Sequence, residues 1–76
     1  MTLIEQADAR KAKILAQVPA AVHPAIKAEA YSIMNQVAVR YSEALQMAVG
    51  NYRDGTLSAV AQGMIREAAA EELGAY

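Results

Sequence analysis

The side chains able to do chemistry are few and scattered. His23 is the only histidine, and it stands in the connector Pro19-Ala20-Ala21-Val22-His23-Pro24 as an isolated base rather than beside a nucleophile that it could activate. The chain has no cysteine, which removes thiolate nucleophiles, disulfides and cysteine-based zinc sites. One histidine without such partners does not make a zinc site, and no calcium-loop pattern occurs. Paired carboxylates for general acid–base work would have to come from Glu67, Glu71 and Glu72, at the end of a helix where charge ordinarily marks a solvated face. The four glycines are isolated from one another, so there is no glycine-rich phosphate loop. The expectation is a non-enzyme with no cofactor, no metal and no small-molecule substrate.

Charge gives a similar answer for polyanions. Seven basic and eight acidic residues leave a net charge of −1, with no long-range attraction to nucleic acid or anionic lipid. Arg10, Lys11 and Lys13 form the one basic cluster, but a helix spreads them over roughly 160°. A nucleic-acid surface would have to add Lys27 and Arg40, or the cluster of a second copy, and none is expected. The opening residues lack the basic-then-apolar order of a signal peptide, and no apolar run approaches the roughly 20 residues of a membrane span. With no cysteine to suit an oxidising compartment, the expected setting is the cytoplasm.

The elements that carry these residues read as helices throughout. Thr2 and Glu5 have the capping-box spacing, and a first helix is expected over about 3–18, ended by Pro19. Pro24 suits the first turn of a second helix. That helix is expected to run unbroken over about 24–49, some 39 Å at 1.5 Å per residue, and to stop at Gly50-Asn51. Ile26, Ala30, Ile33, Val37, Tyr41, Ala44 and Ala48 form its apolar stripe, widened by Met34, Ala38, Leu45 and Val49 to nearly half the circumference. After a connector at 50–55, Thr56 and Ser58 are alternative N-caps of a third helix over about 57–73, with Val60, Ala61, Met64, Ile65, Ala68 and Leu73 on its apolar face and Gly74 at its end. The expected fold is all-α, a single domain over 1–76: an antiparallel three-helix bundle or an open helical hairpin around a long central helix.

Of the 76 residues, 55% are hydrophobic, yet many are alanines, which favour helix while burying little area. A thin core in a short chain makes a partner plausible. Candidate partner-binding residues are apolar or small side chains where polar ones belong. Val39 and Met47 fall on the far side or edge of the central helix, Gly63 makes a smooth back on the third, and Tyr52 with Arg53 forms an exposed loop of residue types enriched at hot spots. Lys11 falls within the stripe of the first helix, its stem crossing the edge of the core. The expected function is therefore protein–protein interaction: an adaptor, assembly factor or inhibitor docking on a larger protein, on a second copy of itself as a homo-oligomer, or on both. The alternative is a nucleic-acid-associated regulator acting as a dimer.

Overall fold

The computed structural model describes residues 3–73, and it is helical with no strand among them. Four α-helices follow one another: α1 Leu3–Leu15, α2 His23–Gln36, α3 Tyr41–Asp54 and α4 Ala59–Leu73, with a 3₁₀ turn at Ala20–Val22 leading into α2. Thr2 and Gly74, expected to close the first helix at its start and the last at its end, lie outside the described residues.

Helix α1 stops three residues earlier than the stripe suggests. Its bonding tightens from Ala16 N–H to the Ala12 carbonyl (2.9 Å) to three-residue steps at Gln17 and Val18 (3.1 and 3.2 Å), the usual unwinding into 3₁₀ geometry before a proline. Pro24 sits in the first turn of α2, where a missing N–H breaks no helical bond.

The long central helix is two helices. Val37 adopts extended backbone (φ −133°, ψ 148°), and Arg40, which precedes α3, is extended as well (φ −74°, ψ 158°) with no side-chain cap. Between them Val39 N–H bonds the Val37 carbonyl at 3.0 Å, a γ-turn centred on Ala38. Neither glycine nor proline marks the break. It falls in a run holding two β-branched valines, which lose less in extended backbone than other residues do, and folding back there lets the two halves bury each other. Tyr31 meets Tyr41 while Glu29 meets Asn51, opposite senses along the two helices, so α3 returns beside α2. Ile26, Leu45 and Val49 are fully enclosed, each worth about 1.5–3 kcal/mol of transfer free energy.

Helix α3 passes through Gly50 and Asn51, the expected stop, and ends at Asp54. Gly55 takes the left-handed conformation (φ 73°); its N–H bonds the Tyr52 carbonyl at 3.3 Å and Thr56 N–H bonds the Asn51 carbonyl at 2.8 Å, the paired bonds of a Schellman ending. Ser58 then caps α4, its Oγ accepting Ala61 N–H at 3.3 Å.

Helix α1 packs on α3, and α4 packs on α2 and the 3₁₀ turn. The core joins Ile14, Val18 and Val22 to Ala25, Ile26 and Ala30 of α2, Ala44, Leu45, Ala48 and Val49 of α3, and Leu57 and Ala61 beside and within α4. Five of those twelve residues are alanine, so the core is thin. The chain is also drawn out: its radius of gyration is 13.3 Å, against roughly 11 Å for a compact chain of this length.

Candidate functional site

Two arrangements stand out, one polar and internal, the other apolar and exposed. The polar one centres on Glu29, a buried carboxylate on α2. Its oxygens accept Ser58 N–H at 3.2 and 3.4 Å and Asn51 Nδ2 at 3.3 Å; Thr56 Oγ1 in turn donates to Asn51 Oδ1 at 3.3 Å. In a local capping box the third helical residue supplies a carboxylate to the N-cap N–H. In α4 that residue is Ala61, and Glu29 supplies the carboxylate from another helix. One side chain thus joins α2, the end of α3 and the start of α4. All its visible partners are structural, and among the described residues no group of three or more His, Cys, Asp or Glu side chains could hold a metal ion.

His23 is similarly occupied. Its Nε2 lies 3.1 Å from the Val18 carbonyl, so that nitrogen carries the proton and ties the start of α2 to the end of the α1 segment. Tyr31 and Tyr41 stack with centroids 5.2 Å apart and planes tilted by 30°. The Lys11 ammonium lies 5.3 Å from the Tyr41 centroid, within cation–π range. Burial, followed by the charge and hydrogen bonding of Tyr31, raises the Tyr41 phenol above its ordinary value. A shallow cavity of about 160 Å³ lies between Ala21, Pro24 and Ala25 on one side and Met64 and Ala68 of α4 on the other, with Glu67 and Glu71 also lining it.

The exposed arrangement follows α2. Tyr31 is 59% exposed, Met34 38% and Val37 48%, and at a spacing of three they form a ridge that runs into the extended segment. Residues 30–39 include no charged side chain, and Asn35, Gln36 and Ala38 flank the ridge in the open. Reading 24–49 as one helix assigned Met34, Val37 and Ala38 to the core stripe, which hid the ridge. The uncharged run was the signal that could have revealed it.

The residues singled out from the sequence are dispersed. Val39 lies in the break, half-buried and packed against the core, rather than on an open helix face, because folding back at Ala38 turns it inward. Met47 is exposed on α3. Tyr52 belongs to the last turns of α3, half-buried against the core, so it is not an exposed loop aromatic. Arg53, beside it, is exposed and donates to Gln17 Oε1 at 3.0 Å. Gly63 lies within α4 with open space where a Cβ would stand. Val60, expected on the apolar face of that helix, is 71% exposed; Ala61 holds the inward position and turns Val60 aside.

No family model, curated protein or solved structure matches this chain. No helix among the described residues is long and apolar enough to cross a membrane.

Proposed function

We propose that this is a non-catalytic helical protein that works by protein–protein contact in the cytoplasm, as an adaptor, assembly factor or inhibitor docking on a larger protein. The observation that carries the reading is the uncharged ridge Tyr31–Met34–Val37. Charge depletion at the centre, enrichment in Tyr and Met and a polar rim are the composition of an interface core, and a flexible thioether adapts to irregular partner surfaces. Met47 and Arg53 on α3 and Gly63 on α4 stay separate candidate contact residues, apart from the ridge. Val39, packed against the core beside the ridge, would act by supporting its shape, whereas Tyr52 lies towards the opposite end of α3 from Tyr41, which the ridge residue Tyr31 meets.

The test is affinity capture with the full chain as bait, followed by reconstitution of each captured protein from purified material. A protein that binds the wild type and is lost with Met34→Asp supports the proposal. Binding unchanged by Met34→Asp and Met47→Asp together, or tight DNA or RNA binding that falls steeply with salt, overturns it.

A further inference from the structure

We infer that residues 37–40 are a hinge that straightens to join α2 and α3 into one helix, and that two copies opened in this way exchange halves as a domain-swapped dimer. The inference is independent of what docks on the ridge. Backbone bonding argues for it first. No glycine or proline stands between Ala25 and Val49, and no side chain caps the start of α3. In the folded-back chain the break holds the Val39–Val37 turn bond, whereas in a joined helix each N–H of residues 38–43 donates to the carbonyl four positions back. Local bonding thus favours the straight form, and the packing of the two halves on each other holds the bent one.

That packing names the second copy as the partner. Helix α1 packs on α3, and α2 packs on α3 and on α4, so each of these pairs joins a residue before the hinge to one after it. The bonds of Glu29 to Asn51 and Ser58 and of Arg53 to Gln17 cross the hinge as well. Neither half therefore has a core of its own, and opening uncovers Ile26 and Ala30 on one side and Leu45 and Val49 on the other. The surface that fits each uncovered half is the other half, which a second copy carries. Exchange through a short hinge remakes the same contacts between chains. The two joined helices then lie antiparallel with the two-fold axis at the hinges, the sense that α2 and α3 already have within one chain. Because the connection is short, a single chain closes on itself readily in dilute solution, so exchange requires refolding at high concentration.

The turn itself supplies a lock for the bent form. Val37 is extended (φ −133°, ψ 148°), as a residue before proline must be. Ala38 has no positive φ, so its γ-turn is the inverse kind with φ near about −75°, which proline matches. Its N–H donates to no backbone group among the described residues. Ala38→Pro should therefore keep the helical circular dichroism spectrum of the folded-back chain and bar the joined helix. Refolded from urea at millimolar concentration, the wild type should show a species of twice 8.1 kDa in sedimentation, and Ala38→Pro should abolish it. Val37→Ala should raise the dimerisation constant about fivefold, through the higher helix propensity of alanine in both copies. In a dimer refolded from a mixture of chains labelled with heavy nitrogen and chains labelled with heavy carbon, a nuclear Overhauser effect should join the Asn51 amide of one copy to the Glu29 side chain of the other, groups 3.3 Å apart. A wild type confined to the single mass overturns the inference, as does a dimer that survives Ala38→Pro or one whose Asn51–Glu29 contact stays within a copy. The labelled chains are wild type, so that measurement decides the matter even where a variant folds poorly.

Discussion

Replacing Glu29 with alanine tests whether α4 is closed from another helix. The substitution removes the acceptor of Ser58 N–H (3.2 and 3.4 Å) and of Asn51 Nδ2 (3.3 Å). Bonds of that length are worth about 1 kcal/mol each. A carboxylate lost beside a helix start costs about 0.5 kcal/mol more, and the void left by the buried methylenes roughly another 1 kcal/mol. The expected loss is about 2–4 kcal/mol, most of the roughly 3–5 kcal/mol that a core of this size supplies. In urea unfolding followed by far-ultraviolet circular dichroism, at a slope of about 1 kcal/mol/M, the midpoint should fall by about 2 M or more. Glu29→Gln keeps the shape and one acceptor oxygen, so it should cost about half as much. Asn51→Ala should be non-additive with Glu29→Ala, because the two residues share a bond. If Glu29→Ala unfolds within about 0.5 kcal/mol of the wild type, the carboxylate does not hold α4, and the reasoning fails.

Glycine substitutions should separate by backbone angle under the same assay. Gly55→Ala places a Cβ at φ 73° and should destabilise by about 1–2 kcal/mol, whereas Gly63→Ala, which meets nothing within 4 Å, should stabilise by about 0.5–1 kcal/mol. Val39→Asp should destabilise by about 1–3 kcal/mol, because it desolvates a carboxylate against the core; the exposed Met47→Asp should change stability by under about 0.5 kcal/mol. Tyr41 should ionise above the ordinary phenol value of 10.0 in a spectrophotometric titration, with Tyr31→Phe bringing it part of the way back. Its folded-state value is raised above the ordinary 10.0, so the associated stability is present below that pH and is lost as pH rises through the folded-state value. A Tyr41 that ionises at the ordinary phenol value would contradict the burial assigned to it.

What was legible in the sequence was whatever local chemistry dictates. Pro19, Pro24 and Ser58 each mark a boundary through a missing donor or a capping hydroxyl, and those boundaries hold to within a few residues. The break after Gln36 has no such marker and is decided by tertiary packing. Its trace was nonetheless present. On a single helical wheel Ile26, Ala30 and Ile33 centre about 60° away from Ala44, Leu45, Ala48 and Val49, so the unusually wide stripe was two ordinary stripes out of phase. Gly50-Asn51 misled in the opposite way. A glycine can sit inside a helix at modest cost, and Asn51 directs its amide to Glu29 rather than to a turn. Glu29 itself lies among Ala25, Ile26 and Ala30 on the inward side of α2, but the donors that make a buried carboxylate tolerable arrive from residues more than twenty positions away. The exposed ridge was misassigned for the same reason as the break, since both depend on where α2 stops.

The borrowed cap of α4 also has a consequence for the order of assembly. The carboxylate that closes the start of α4 stands 29 residues before Ser58, so the entropy of closing that loop precedes any gain from the bond. The pairing of α2 with α3 spans only a four-residue connection, and short-range contacts of that kind form early. Helix α4 should therefore dock onto a hairpin already made, as should α1, which reaches α3 across a comparable separation. In native-state hydrogen exchange the amides of α4 should be less protected than those of the α2–α3 pair.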